Sequence, residues 1–298
     1  MGFNEPTKLQ PEIFTFTHSL IPMSNEINNP DKLPKVAIIG AGNLGVAIAK
    51  GLATSIGAES IWLCRRHLSK IESMAKDGFK FTKDTTEAVS GANYVFLCVQ
   101  PHQLPGILDG LKTMLNPQKQ VLISTLAGMG SERIQALLSQ PFPIVRAMPN
   151  TAVAIGESMT CICANNKVSP QAADQVKEWF ETVGEVMFIE EEHMKAATVL
   201  AASGIAFFLP YIRAATQCGI ELGFEAEEAL TMATATAKGA ASLLMVQGSH
   251  PESEIDKVNT PKGCTIAGLN EMEYQGLSST VIQGLKKSFD KISSIGDS

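Results

Sequence analysis

The chain has 298 residues, of which 45% are hydrophobic, 18% charged and 6% aromatic, and its net charge is −6. That length predicts about two domains, each able to bury a core, and the aliphatic content excludes a disordered or collagen-like chain. The negative balance leaves no basic field for nucleic acid, and so low a charged fraction leaves a surface too apolar for an ordinary soluble monomer.

Residues 1–34 mix Pro6, Pro11, Pro22, Pro30 and Pro34 with Asn and Glu and show no sustained period, so they read as a mobile N-terminal extension. Met23 is an alternative start, which intact mass would test. From Lys35 short apolar runs alternate with helical patterns. Strands are predicted at 36–39, 61–64, 94–99, 121–124, 144–147, 159–163 and 186–189. Helices are predicted at 44–56, 67–76, 86–90, 103–115, 132–138 and 171–183. The last has Ser169 as its cap, Pro170 in its first turn, Gly184 at its end and one apolar face of Val176, Trp179, Phe180 and Val183. Uniformly apolar strands alternating with helices predict an α/β domain with a mostly parallel sheet covered on both faces, over residues 35–190.

The first strand runs into Gly40-Ala41-Gly42-Asn43-Leu44-Gly45, a G-x-G-x-x-G pattern between strand and helix. In that context Gly40 allows the turn, Gly42 lets a pyrophosphate approach the backbone, and Gly45 permits close helix packing. The helix start then offers free N–H groups to phosphate. An NAD site would place an acid at the end of the next strand; here Arg65 and Arg66 stand instead, suited to clamp a 2′-phosphate. NADP(H) is therefore the preferred cofactor, with NAD(H) as the alternative, and the competing reading is a pair of solvated arginines. Val99, Gln100 and Pro101 follow the 94–99 strand, and Ala127 and Gly128 follow the next. Both loops lie at strand carboxyl ends, where open α/β sheets bind ligands, or are ordinary turns. His102 reads as a helix-start residue without a catalytic role. Asn150, after Arg146-Ala147-Met148-Pro149, can donate and accept hydrogen bonds into a cleft.

After about Glu190 the strands stop. Helical patterns cover 194–219, 226–246 and 268–293, predicting an all-helical second domain over 191–298. The uncharged stretch 196–212 contains Ser203, Gly204 and Pro210 and is shorter than the ~20 residues of a spanning helix, so a buried soluble helix, bent or broken near Pro210, is expected and no membrane partner. No signal-peptide pattern opens the chain, and the six scattered cysteines form no C-x-x-C pair, which predicts a reducing cytoplasm. The five histidines show no metal spacing, so no metal is expected. Thr260-Pro261-Lys262-Gly263-Cys264-Thr265 precedes the last helical pattern. Its amides and hydroxyls make a seat for a carboxylate, with a plain helix N-cap at Thr265 as the alternative.

Taken in order, G-A-G-N-L-G, V-Q-P-H, L-A-G, R-A-M-P-N-T, A-S-G-I-A-F and T-P-K-G-C-T-I-A-G-L-N-E-M-E resemble pyrroline-5-carboxylate reductase, over about residues 35–293. The stretch from Asp256 to Glu273 is the most specific part. The resemblance implies an N-terminal Rossmann domain and a helical dimerisation domain, hence a homodimer at least, with rings of dimers in some relatives. It implies NAD(P)H-dependent reduction of a small cyclic imino acid to L-proline. It places Thr265 at the ring nitrogen as the catalytic hydroxyl. Thr260, Gly263 and Cys264 would hold the substrate carboxylate, and Glu191, Thr198 and Asn150 would lie near the reacting centre. Gly40, Gly42, Asn43, Leu44, Gly45, Arg65, Arg66, Val99, Gln100, Pro101, Ala127 and Gly128 form the cofactor side.

The chain departs from the family pattern at Leu44 (usually Met), Gln100 (usually Lys), Lys195 (usually Asp), the 200–207 stretch (usually L-S-G-S-G-P-A-Y) and Thr260-Pro261-Lys262-Gly263 (usually S-P-G-G). Two rival readings are a β-hydroxyacid-dehydrogenase-like enzyme with Lys195 as its catalytic lysine and a non-catalytic nucleotide-binding paralogue.

Overall fold

The computed structural model describes residues 33–296. Apart from Leu33 and Pro34, the expected extension and Met23 lie outside the described residues. The N-terminal half runs β1 (Val36–Ile39), α1 (Asn43–Ile56), β2 (Ile61–Cys64), β3 (Lys80–Thr82), α2 (Thr85–Val89), β4 (Tyr94–Leu97), α3 (Leu104–Leu111) and β5 (Val121–Ser124). It continues with α4 (Ser131–Ala136), β6 (Ile144–Met148), β7 (Ser158–Ala164), α5 (Pro170–Glu181) and β8 (Gly184–Phe188).

The eight strands form one sheet in the order β3-β2-β1-β4-β5-β6-β7-β8. All neighbours are parallel except β6 and β7. The stretch from β3 to β6 is a doubly wound order, whose ligand crevice lies between β1 and β4, where the winding reverses. The strands β1, β4, β5 and β6 are buried along their whole length, so both sheet faces need cover. Ile48 and Leu52 of α1 with Trp179 and Phe180 of α5 pack on one face. Leu104 and Leu108 of α3 with Ile134 of α4 pack on the other. Ser169 caps α5 by accepting from the Ala172 N–H at 3.2 Å, while Gly184 opens β8 instead of ending the helix. Two elements differ from expectation. The 67–76 segment forms short 3-10 turns, Leu68–Lys70 and Glu72–Asp77, and β3 adds an unpredicted edge strand.

Helices alone follow β8: α6 (Met194–Ala197), a π turn at Thr198–Ala202, α7 (Ile205–Glu221), α8 (Ala226–Gln247), α9 (Pro251–Val258), α10 (Cys264–Tyr274) and α11 (Leu277–Gly296). Of the expected bend or break at Pro210, no break occurs, since α7 continues through it, and the expected burial is not found either: α7 has no buried residue within the single chain. The irregularity falls earlier, where the Ser203 N–H donates to the Thr198 carbonyl at 2.8 Å. The predicted 268–293 helix is two helices, because Gly276 takes φ 85° between them.

The helices α7 and α8 pair closely, since a Cβ on Gly219 would stand 2.9 Å from that of Ala229. Their outer faces are bare: Phe208 is 72%, Leu209 56% and Met245 70% exposed. By length and composition Glu191–Glu221 and Ala226–Val246 are apolar enough to cross a membrane. Their mean burial is low, and so continuous an apolar surface requires a partner of some kind.

Candidate active site

The glycine loop is held at the carboxyl end of β1. Both the Gly40 and Ala41 N–H groups donate to the Cys64 carbonyl at 3.0 Å. Gly40 takes φ 95°, and a Cβ there would lie 2.4 Å from the Cys98 carbonyl oxygen. Gly42 differs: its Cβ would meet no protein atom closer than 4.0 Å. It is the N-cap of α1, with no side-chain cap and no acid in the first turn. The amides of the first turn, Asn43, Leu44 and the more deeply set Gly45, are therefore left without a capping side chain at the positive end of the helix. The space beside Gly42 and these amides fits a pyrophosphate.

Arg65 and Arg66 follow β2 but are placed differently. The Arg65 guanidinium is half-buried and donates from Nη1 to the Ala41 carbonyl at 2.9 Å, inside the glycine loop. Arg66 is exposed. Arg65 thus braces the loop, and of the two arginines only Arg66 keeps an exposed guanidinium that a 2′-phosphate could meet. Accordingly, Arg66→Ala should raise the KM for NADPH about tenfold or more and leave that for NADH unchanged, as loss of one charge-assisted contact does. Arg65→Ala should raise both. Steady-state kinetics with each cofactor checks the pair.

Val99 adjoins the loop, because its Cγ1 lies 2.7 Å from the position of a Cβ on Gly40. Gln100 caps a 3-10 turn at Pro101–Gln103, with Gln103 Oε1 accepting from its N–H at 3.1 Å. Ala127 and Gly128 follow β5 beside it, and Gly128 takes φ 71°. Burial pushes the Cys98 thiol up to about 12, so it stays protonated and is no nucleophile.

At the far end of this edge the sequence missed a polar cluster. Arg146 on β6 is buried and its Nη1 pairs with Glu191 Oε1 at 2.6 Å. Arg146 Nη2 reaches the Leu126 carbonyl at 3.5 Å. Glu191 also accepts from the Ser131 hydroxyl, from its N–H at 3.4 Å and from the Cys163 thiol at 3.3 Å. Burial pushes the Glu191 carboxyl up. The bond from Ser131, the charge and bond of Arg146 and the Cys163 bond outweigh it and hold the carboxyl below its ordinary value. The available signal was an arginine inside the apolar run Ile144-Val145-Arg146-Ala147-Met148, since a buried cation needs a partner.

The other residues expected near the reacting centre are also engaged. Asn150 accepts from the Ala152 N–H at 3.0 Å and donates to the Ala201 carbonyl at 3.4 Å. The Thr198 hydroxyl is buried and donates to the Met194 carbonyl at 2.7 Å. Both stabilise the turn into the helical half.

The 260–265 loop stands apart: among the described residues no hydrogen bond links it to the sheet edge. The Gly263 N–H donates to the Thr260 carbonyl at 2.9 Å, closing a turn through Pro261 and Lys262. Gly263, not Thr265, is the N-cap of α10, which has no side-chain cap and no acid in its first turn. The amides of Cys264 and Thr265 are therefore open to an anion. The structure thus brings the cofactor-side residues together and the 260–265 group together, without joining the two within one chain.

Residues 191–295 match the family model for pyrroline-5-carboxylate reductase dimerisation, and residues 35–128 match that for NADP oxidoreductase, coenzyme F420-dependent. Pyrroline-5-carboxylate reductase 1 of Dictyostelium discoideum is 44% identical over 87% of this chain, which spans only 49% of that longer relative. Pyrroline-5-carboxylate reductase 2 of the same organism is 42% identical, over 87% of this chain and 92% of the relative. The chain belongs to the pyrroline-5-carboxylate reductase family. The crystal structure of Plasmodium falciparum pyrroline carboxylate reductase with NADP bound shares the fold: TM-score 0.81 and 22% identity, covering 88% of this chain and 98% of that one.

Set in the reductase family, two departures acquire a structural reading. Lys262 stands where the resemblance leads one to expect Gly, and it alone among the described non-glycine residues takes a positive φ, 60°. Left-handed backbone costs a lysine about 1–2 kcal/mol, partly offset by the entropy a glycine loses. Lys262→Gly should therefore raise the urea midpoint slightly, by on the order of 0.5 kcal/mol in stability. Lys195, where the family has Asp, sets its ammonium 3.9 Å over the Phe289 ring and ties α6 to α11.

Proposed function

We propose that this chain reduces the C=N bond of 1-pyrroline-5-carboxylate to give L-proline, as an NAD(P)H-dependent oxidoreductase that prefers NADPH. One observation carries the reading: a single chain joins an unobstructed dinucleotide loop at Gly40–Gly45 to the dimerisation segment of this reductase family. Residues 35–190 hold the dinucleotide, and residues 191–298 pair with a second copy and bring in the substrate. The bare faces of α7 and α8 then meet a partner copy instead of lipid. The protein works as a homodimer at least, with rings of such dimers as a further assembly, in the cytoplasm. All six cysteines are unpaired, which supports a reducing compartment.

When bound, the reduced nicotinamide supplies the hydride that the carbon of the protonated C=N group accepts. The chain contributes placement. Gly42 and the amides of Asn43, Leu44 and Gly45 hold the pyrophosphate, and Val99, Gln100, Pro101, Ala127 and Gly128 line the path toward the nicotinamide. The open amides of Cys264 and Thr265, in the turn that Gly263 closes with Thr260, hold the substrate carboxylate. The Thr265 hydroxyl bonds the ring nitrogen and fixes the face presented to the hydride. No nucleophile or strong base is required, because a protonated imine is already an electrophile.

Oxidation of NADPH dependent on pyrroline-5-carboxylate is the expected result with the purified chain. Reduction of NADP⁺ dependent on a hydroxy acid, or cofactor binding without turnover, would overturn the proposal. Lys195 offers little to the hydroxy-acid reading, since its ammonium is engaged with Phe289.

A further inference from the structure

We infer that Arg146 and Glu191 are positioning residues: together they latch the 126–130 loop, and so the nicotinamide end of the cofactor site, to the first turn of the helical half. The inference rests on the proposed reduction for the role of that loop. It departs from the substrate-binding part that the family resemblance implies for Glu191.

The cluster joins three pieces of chain that sequence separates widely. Arg146 rises from the buried strand β6 and spends one nitrogen on Glu191 and one on the carbonyl of Leu126. Glu191 spends its two oxygens on Arg146, on both the N–H and hydroxyl of Ser131, and on Cys163 of β7. Leu126 and Ser131 bracket Ala127 and Gly128, so the pair fixes both ends of the loop at once. Gly130 lies beside the pair, in the range where a Cβ would make ordinary contact with Glu191 Oε1, at 3.6 Å.

Both Glu191 oxygens are engaged on protein groups, while its side chain stays 44% exposed at the edge of the cluster. Arg146 is buried, so its charge cannot be left to water if Glu191 goes. The arrangement also places the latch at the start of the helical half: Met194, which follows Glu191 by one turn, packs with Met148, Cys163 and Ala127. A shift of that turn moves the loop, and the loop sets where the nicotinamide lies. A displacement near 1 Å at a reacting centre costs up to about a hundredfold in rate.

The test separates holding from mere stability. Glu191→Gln strands a buried cation and lowers Tm. The double variant Arg146→Met with Glu191→Gln removes both charges and restores much of that loss, because no cation is then left buried beside the partly exposed position 191. Ser131→Ala removes the hydroxyl's tie to Glu191 while keeping the backbone N–H bond and the ion pair. The expected result is that the double variant and Ser131→Ala, folded and dimeric, show a kcat at least tenfold and about threefold lower respectively. Their KM for the imine stays unchanged, and NADPH binding, followed by fluorescence, weakens in the same order. Parental kcat and NADPH affinity in the restored double variant would reduce the cluster to a structural tie and overturn the inference. A rise in imine KM alone, on Glu191→Gln but not on Ser131→Ala, would return Glu191 to the substrate and also overturn it. Should the unmodified chain bind NADPH yet reduce no imine, the proposed function fails, while the nucleotide-binding arm still decides whether the latch holds the loop.

Discussion

Thr265→Ala lowers turnover of pyrroline-5-carboxylate by about one to three orders of magnitude, the range of a lost positioning contact. The expected loss is chemical, because the hydroxyl has no structural duty. Gly263 is the N-cap of α10, Thr265 is its second residue, and among the described residues no hydrogen bond engages the Thr265 hydroxyl. Truncation therefore breaks no protein bond, and alanine is the better helix former. Tm should hold or rise slightly. Thr265→Ser, which keeps the hydroxyl, should retain most of the turnover. Thr198→Ala is the control: it removes a buried bond to the Met194 carbonyl and should lower Tm before it lowers turnover. Measuring kcat and Tm on all three variants checks the assignment.

Gly42→Ala should weaken cofactor binding severely without unfolding the protein. Its backbone, φ −83° and ψ −162°, is open to any residue, and the nearest protein atom to the new methyl would be 4.0 Å away. That methyl would occupy the space the pyrophosphate needs at the α1 start. An increase of about a hundredfold in the dissociation constant of NADPH is expected, the weight of two or so charge-assisted bonds to backbone amides. Gly40→Ala behaves oppositely: its methyl would strike the Cys98 carbonyl at 2.4 Å on a backbone of φ 95°, so the loss appears in folding. Fluorescence titration with NADPH, alongside thermal melts, separates the two glycines.

Periodicity carried the strands that are buried on both faces, since β1, β2 and β5 fall where uniform apolar runs predict them. Edges were harder. The strand β3 is three residues with an exposed Lys80, too short for alternation to register, and it exists because β2 pairs with it. The helix α9 is polar and capped by His250, whose Nδ1 accepts from the Glu252 N–H at 3.3 Å, a cap outside the usual Ser, Thr, Asp and Asn set. Pro210 misled because its ring needs only a missing donor and a relaxed carbonyl, which exposed α7 supplies.

The site was legible in its contiguous motifs. The glycine loop and the α10 start both lie at uncapped helix ends, where spacing alone marks an anion seat. Roles that depend on distant partners were not legible. Arg65 and Arg66 are neighbours in sequence, yet only the fold shows that Ala41 occupies the first. Arg146 and Glu191 meet across 45 residues, and nothing local in either stretch announces the other.

The most direct measurement follows the hydride. NADPH carrying deuterium at the transferred C4 position is incubated with pyrroline-5-carboxylate and the chain, and the product is read by mass spectrometry and NMR. The expected product is L-proline with one deuterium, at C5. Proline without the label, or consumption of neither reactant by a protein that binds NADPH, would contradict direct transfer between nicotinamide and imine.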